Sequence, residues 1–304
     1  MSAMKDHYTP LADFAQAARP VTSPSRVVFM VASFALFFLL TPVLISILLP
    51  ANLRIAYQEG TTALGTLLQF ASFGLPAAAF VWTLQRVHQR GFWSLIGPYQ
   101  MAFTDFRKVA IGVGGVFLAL EVLPPWVVFS ELADIRPIGI WVMLWPFAFL
   151  AVLVQVTTEE ILFRGYLQQQ LACLSNSRWV WMVGPSLLFG VVHYWNGNSA
   201  PEGVVYVFFA TILGIACADL TARTGNLGAA IGLHQIVNIF SLMVIGVEGW
   251  PNSGLALFLY PYEDPDRYSA LIAQFPMIWS IQQLLMLGLS VLSVWLAARI
   301  ALRR

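Results

Sequence analysis

Long apolar stretches recur along the whole chain, and their length limits the fold more than any other feature. A helix needs about 20 predominantly apolar residues to cross a bilayer. Eight stretches approach or reach that length: 27–49, 62–84, 109–129, 139–156, 179–194, 203–220, 227–247 and 277–301. Only 10% of the residues are charged, whereas soluble domains carry roughly 25%. The sequence therefore predicts an all-α polytopic membrane protein with about eight transmembrane helices.

The lysine and arginine residues indicate how these spans are oriented. An even number of spans puts both termini on one side, and most basic residues then fall on that side. The other side keeps only Arg54, Arg136 and Arg267. Because basic loops stay in the cytoplasm, we expect both termini there and the chain in the inner (cytoplasmic) membrane. A net charge of +1 gives no bulk attraction to nucleic acid.

The chain shows no sign of a second domain. Residues 1–26 are polar and lack the apolar core of a cleavable signal peptide, so we expect a cytoplasmic N-terminal tail. Residues 27–304 then form a single transmembrane domain. Within it, residues 139–247 contain the polar side chains that suggest chemistry.

The fourth span ends in two adjacent carboxylates, Glu159 and Glu160. A charge at bilayer depth costs about 3 kcal/mol or more, so an acidic pair here points to a function. Arg164 lies one helical turn after Glu160, in the order that favours an ion pair. Glu159 points roughly 100° away from Glu160, and we expect the two carboxylates to play different parts.

Two later spans each contain a histidine in a pair with a spacing of four residues, which places both members on one helix face. The pairs are Phe189 with His193 and His234 with Asn238. A carboxylate beside an imidazole in a shielded cavity can hold and deprotonate a water molecule. A second imidazole and an amide can donate hydrogen bonds to a developing oxyanion. Together with Glu159, these residues supply a minimal set for hydrolysing an amide without a covalent nucleophile.

Other hydrolytic chemistries fit the sequence less well. A serine mechanism lacks the G-x-S-x-G elbow. A zinc mechanism lacks H-E-x-x-H, although two histidines and a glutamate are a known ligand set. The cysteines Cys173 and Cys217 have neither CxxC nor CxxH spacing, which argues against a thiolate zinc site or a disulfide framework.

The three motifs, in their order on successive apolar spans, resemble those of the CPBP family. This family comprises type II CAAX prenyl proteases and bacteriocin-processing or abortive-infection proteins. The matching patterns are E-E-x-x-x-R at 159–164, F-x-x-x-H at 189–193 and H-x-x-x-N at 234–238, and the run at 222–234 is similar as well. The resemblance covers about 155–240, roughly a third of the chain.

The resemblance implies an intramembrane glutamic endopeptidase. Glu159 would be the general base, His193 would help to orient the water, and His234 with Asn238 would line the oxyanion hole. The site would open toward the cytoplasm and act on a membrane-associated peptide or protein. The resemblance implies no cofactor and no metal.

Three neighbouring residues would support this site, and three other functions remain open. Glu160 and Arg164 resemble a structural pair that holds the helix end, and Phe189 would pack against the pocket. The chain could instead be a non-catalytic membrane immunity or scaffold protein with the same fold, or a zinc-dependent membrane protease. Intramembrane carboxylates and histidines also build proton relays, which leaves a transporter as a weaker alternative.

Overall fold

Helices form nearly all of the regular structure. A computed structural model describes residues 7–123, 134–197, 199–261 and 276–303. Its helices are α1 Thr9–Phe14, α2 Pro24–Leu48, α3 Ala51–Glu59, α4 Ala63–Ser72, α5 Gly74–His88, α6 Trp93–Ile96, α7 Tyr99–Val122, α8 Ile138–Leu162, α9 Gln169–Leu174, α10 Gly184–Val192, α11 Ala200–Thr224, α12 Gly228–Met243 and α13 Pro276–Leu302. Two π-helical segments, Phe163–Gln168 and Trp179–Val183, lead into α9 and α10. The predicted helical class is confirmed.

Five helical runs in the described part are long and apolar enough to cross a membrane. They are Pro24–Leu48, Ala63–His88, Ile138–Leu174, Ala200–Thr224 and Ile281–Leu302. They correspond to the first, second, fourth, sixth and eighth predicted spans. α10 and α12 are shorter, and α7 carries Asp105, Arg107 and Lys108. The count of eight spans and the side of the termini therefore stay predictions.

The outer helices present large apolar side chains to their surroundings. On α2, Leu39, Ile47 and Leu48 are all more than two-thirds exposed, and Ile300 on α13 is too. Exposing such surfaces to water would be unfavourable, whereas lipid tails are as apolar as the side chains themselves. Together with the five long apolar runs, these surfaces identify a multi-pass membrane protein.

The run from α8 to α9 is longer than a bilayer is thick. Its 37 residues extend about 55 Å at 1.5 Å per residue, against about 30 Å for the hydrocarbon core. The Tyr166 hydroxyl lies 3.5 Å from the carbonyl of Arg26 at the start of α2, and 2.9 Å from Nε2 of His88 at the end of α5. Residues beyond Tyr166 therefore project past the ends of the neighbouring spans, at an end that we call the N-terminal face.

The residues of α1 pack against this projecting part. Leu11 and Phe14 of α1 are buried in the core. The Tyr8 hydroxyl donates to Oδ1 of Asp219 near the end of α11 at 2.6 Å, and Arg223 forms an ion pair with the same carboxylate at 2.8 Å. The expected N-terminal tail thus contacts the helical bundle. Its boundary at residue 26 stays a prediction.

A small sheet lies at the opposite end of the bundle, where α8 begins and α12 ends. Its strands are β1 Asp134–Ile135, β2 Ile245–Val247 and β3 Phe258–Tyr260. The strand order is β1-β3-β2, with β1 antiparallel and β2 parallel to β3. Residues 262–275, which follow β3 in the chain, lie outside the described residues.

Two glycines allow the helices that carry the candidate site to pack closely against their neighbours. At Gly190 on α10, a β-carbon would lie 2.0 Å from the Thr211 hydroxyl and 2.6 Å from the Val207 carbonyl on α11. At Gly228, the first residue of α12, it would lie 1.8 Å from the Ala102 carbonyl on α7. Both contacts require glycine, because any side chain would push the helices apart.

Candidate active site

The turn between α9 and the π-helical segment before α10 sets the depth of two site residues. The chain leaves Leu174, turns, and re-enters helix at Trp179. Glu159 precedes the turn and His193 follows it by nearly equal helical lengths of about 20 Å. The rings of Phe163 and Phe189 meet between these points at 5.0 Å. The antiparallel arrangement therefore brings Glu159 and His193 to the same depth.

Glu160 is the most deeply buried acid of the site, with no exposed surface. Its Oε1 accepts from Nη1 of Arg164 at 2.9 Å and from Nδ1 of His234 at 2.8 Å. A carboxylate only accepts hydrogen bonds, so Nδ1 of His234 carries a proton in this contact. Glu160 therefore ties α8 to α12 in addition to pairing with the arginine one turn away.

Arg164 is held from several sides. Its guanidinium lies 4.6 Å above the Phe189 ring and 5.7 Å from the Phe163 ring, within the range of cation–π attraction. Gly214 of α11 provides room for it, since a β-carbon there would lie 2.8 Å from Nη2. The ion pair with Glu160 is thus enclosed by aromatic rings and by a third helix.

His234 stands between the two carboxylates. Its Nε2 lies 3.7 Å from Oε2 of Glu159, on the opposite side of the ring from Glu160. The edge of the ring packs against Phe189, with the ring centroids 5.7 Å apart. Glu159 is 14% exposed, and its Oε2 has no hydrogen-bond partner among the described residues. Glu159 is therefore the more exposed and less constrained of the two carboxylates.

His193 is half-buried at the C-terminal end of α10. Its Nδ1 lies 2.6 Å from the carbonyl oxygen of Phe189 and donates to it, because a carbonyl can only accept. In the neutral ring this bond leaves Nε2 as an acceptor. Neither a hydrogen bond nor an ion pair joins His193 to Glu159 directly in the described part of the chain.

Asn238, the last of the predicted site residues, lies on α12. Its Nδ2 donates to Oε1 of Gln155 at 3.1 Å. Gln155 is buried on α8, one turn before Glu159. The sequence reasoning missed Gln155, although a polar residue four positions before Glu159 within an apolar span is a usable signal.

The structure brings all of the predicted site residues to one place where α8, α10 and α12 meet. They are Glu159, Glu160, Arg164, Phe189, His193, His234 and Asn238. The arrangement offers a carboxylate without a hydrogen bond at Oε2, Glu159, and an imidazole acceptor, His193. His234 and Asn238 can donate hydrogen bonds. Within the described ranges, no group of three or more His, Cys, Asp or Glu is arranged to hold a metal ion.

Comparison with known proteins agrees with the motifs. Residues 141–240 match the family described as "Type II CAAX prenyl endopeptidase Rce1-like", and this confirms the family resemblance. The matched range contains every candidate site residue.

A curated relative is the "Uncharacterized protein YyaK" of Bacillus subtilis (strain 168), which is 26% identical over 182 residues. The alignment covers 57% of this chain and 58% of the relative, so the chain spans less than two-thirds of that protein. No solved structure is significantly similar to the chain.

Proposed function

Because residues 141–240 match the Rce1-like family of type II CAAX prenyl endopeptidases, we propose that the chain is an intramembrane endopeptidase. It hydrolyses a peptide bond of a membrane-associated protein or peptide with a water molecule activated by Glu159. The observation that carries the proposal is the carboxylate of Glu159, whose Oε2 has no hydrogen bond among the described residues and lies 3.7 Å from Nε2 of His234 within apolar helices.

The reaction begins with a water molecule between Glu159 and His193. Nε2 of His193 accepts a hydrogen bond from the water, because Nδ1 donates to the Phe189 carbonyl. Glu159 takes a proton from the water as its oxygen attacks the carbonyl carbon of the substrate. The protonated Glu159 then gives the proton to the amide nitrogen as the C–N bond breaks. A carboxylic acid and an amine are released, and Glu159 is again a carboxylate.

The oxyanion of the intermediate needs hydrogen-bond donors, and two residues of α12 supply them. Asn238 donates through Nδ2, which Gln155 holds in place. Nδ1 of His234 is engaged by Glu160, so Nε2 donates only in the imidazolium form, in which both nitrogens carry protons. When the oxyanion forms, Glu159 carries the proton, so the negative charges of Glu160 and the oxyanion balance the positive charges of Arg164 and the His234 imidazolium. Glu160 and Arg164 thus prepare His234 for its role without touching the substrate.

The position of the site suits substrates that approach from the membrane surface. Glu159 lies about 10 Å along the helix from Tyr166, which is level with the start of α2. We propose that the N-terminal face is cytoplasmic, as the distribution of basic residues predicts. A peptide anchored near the cytoplasmic leaflet would then reach the site without crossing the bilayer.

The decisive variant is Glu159→Gln, which keeps the shape of the side chain but cannot take a proton. We expect cleavage to fall by about 10²–10⁴-fold, while the protein still accumulates in membranes. The readout is a comparison of membrane proteomes that looks for one uncut precursor. His193→Ala should accumulate the same precursor. The matched control is Glu59→Gln, which changes an exposed glutamate near the opposite end of the bundle, and full activity of Glu159→Gln would refute the proposal.

Two alternatives give different results in the same material. If the chain is a non-catalytic immunity or scaffold protein, Glu159→Gln leaves the phenotype intact, whereas loss of the whole protein does not. If it is a zinc-dependent protease, purified protein contains stoichiometric zinc and a chelator abolishes cleavage. Under our proposal, cleavage survives the chelator.

A further inference from the structure

Arg90 is a buried cation outside the candidate active site. It follows the end of α5 and is only 6% exposed. Its Nη2 donates to two neutral acceptors, the carbonyl oxygen of Ser94 and Oε1 of Gln169. Nε and Nη1 are shielded from solvent and have no hydrogen-bond partner among the described residues. Buried charges in proteins are normally paired, so Arg90 lacks the anion that its burial calls for.

The surroundings of Arg90 do not supply that anion. Burial lowers the pKa of Arg90, and only Tyr166 and Cys173 act against this effect, with no carboxylate among the groups that act on it. The charged neighbours of this region are arginines. The charge of Arg26 interacts electrostatically with the side chains of His88 and Tyr166, and the charge of Arg19 interacts with that of Cys173. Among the described residues, cations therefore converge here and no carboxylate acts on Arg90.

The depth of the cluster indicates where an anion would come from. α2 begins near Arg26 and ends at Leu48, a length of about 33 Å that matches the hydrocarbon core. α5 ends at His88, which is linked through Tyr166 to the level of Arg26. Arg90 follows His88 by two residues. The cluster therefore lies at the level where the phosphate groups of one lipid leaflet are found.

We propose that Arg90 is the inner contact of an anion site that binds a phosphate group at the membrane surface, as presented by a lipid headgroup. The exposed side chains of Arg19 and Arg26 form its outer part and draw the anion in. Because Nε and Nη1 of Arg90 are shielded, neighbouring side chains must shift as the phosphate enters. This site is separate from the proposed protease site and does not depend on its activity.

The test uses the full chain purified in a non-ionic, phosphate-free detergent. Thermal unfolding is measured alone, with phosphatidylglycerol added, and with inorganic phosphate added. A ligand that binds only the folded state raises Tm, and we expect phosphatidylglycerol to raise it by on the order of 5 °C at saturation. Native mass spectrometry of the same sample should show the added mass of bound lipid. An equal rise with inorganic phosphate would mean that the site accepts phosphate from either source.

Variants of Arg90 test whether the lipid that raises Tm binds at this residue. Arg90→Gln should abolish the rise in Tm and the bound lipid mass. The matched control, Arg86→Gln, changes an exposed arginine on α5, four residues before Arg90, and should keep both. Arg90→Lys retains the charge, so it keeps a reduced rise and serves as the test if Arg90→Gln does not fold. The proposal is wrong if neither probe changes Tm of the unmodified chain, or if the Arg90 variants keep the full effect.

Discussion

The ion pair between Glu160 and Arg164 provides a sharp test of how the site is held together. We consider Arg164→Met, which removes the charge and keeps an unbranched side chain that can still pack on the Phe189 ring. In the native chain, Arg164 is 1% exposed and Glu160 is fully buried. The variant therefore leaves a carboxylate in an apolar interior with only His234 as its partner.

The geometry gives the size of the effect. At the observed N–O distance of 2.9 Å, two unit charges attract by about 6 kcal/mol at an effective dielectric constant of ~20. Desolvation offsets part of this, and removing one partner of a buried pair costs about 3–5 kcal/mol. Because Glu160 keeps the hydrogen bond to Nδ1 of His234, we expect about 3 kcal/mol, which lowers Tm by on the order of 10 °C.

The assay is thermal unfolding of purified protein, with the double variant Glu160→Gln/Arg164→Met beside the single one. Replacing both members of a buried pair is often close to neutral, so the double variant should recover much of the lost Tm. Arg86→Met, an exposed arginine over Trp82, controls for loss of an arginine as such. The reasoning fails if Arg164→Met changes Tm no more than Arg86→Met, or if the double variant is less stable than the single one.

Three further changes test other parts of the structure. Gly190→Ala should destabilise the protein by about 1–3 kcal/mol, because the methyl group would meet Thr211 and Val207; Gly114→Ala in α7, with open space around it, is the control in the same unfolding measurement and should not destabilise. Tyr8→Phe should cost about 1–3 kcal/mol at pH 7, since it leaves a buried acceptor on Asp219 with one partner fewer. Burial, and then the hydrogen bond to Asp219, raise the pKa of Tyr8. The neutral phenol therefore stabilises the fold below pH ~10, and this contribution is lost as the pH rises further. In unfolding scans above that pH, the difference in stability between Tyr8→Phe and the unmodified chain should shrink. Gln155→Leu should lower kcat for precursor cleavage by on the order of 10-fold with little change in KM, because Asn238 loses the partner that orients it; an unchanged kcat would separate Gln155 from the reaction.

The clustering of the candidate site residues could be anticipated from the sequence because each motif combines a helical spacing with an unfavourable location. Charged and imidazole side chains within apolar spans stand out against their surroundings, and a spacing of four puts each pair on one face. Which imidazole meets which carboxylate depends on helix packing, which spacing alone does not fix. The sequence reasoning paired Glu159 with His193, whereas the structure places His234 closer to it, at 3.7 Å.

The extent of the spans was harder to predict, because apolar length does not distinguish a spanning helix from a short helix enclosed by others. α12 has 16 residues, most of them buried against other parts of the protein. The packing of α1 was also missed, since its segment is polar in composition. Its few apolar residues, Leu11 and Phe14, nevertheless face the core.

The two adjacent carboxylates illustrate how helix phase and ring geometry combine. Glu159 and Glu160 diverge by about 100°, which suggested separate partners. They nevertheless approach one residue, because the two nitrogens of His234 point to different sides of its ring. Oε1 of Glu160 accepts a hydrogen bond from Nδ1 of His234 at 2.8 Å and also pairs with Arg164. Oε2 of Glu159 lies 3.7 Å from Nε2 without a hydrogen bond. Glu160 is therefore held by two partners, whereas Oε2 of Glu159 has no hydrogen bond among the described residues, and the proposed hydrolysis rests on this difference.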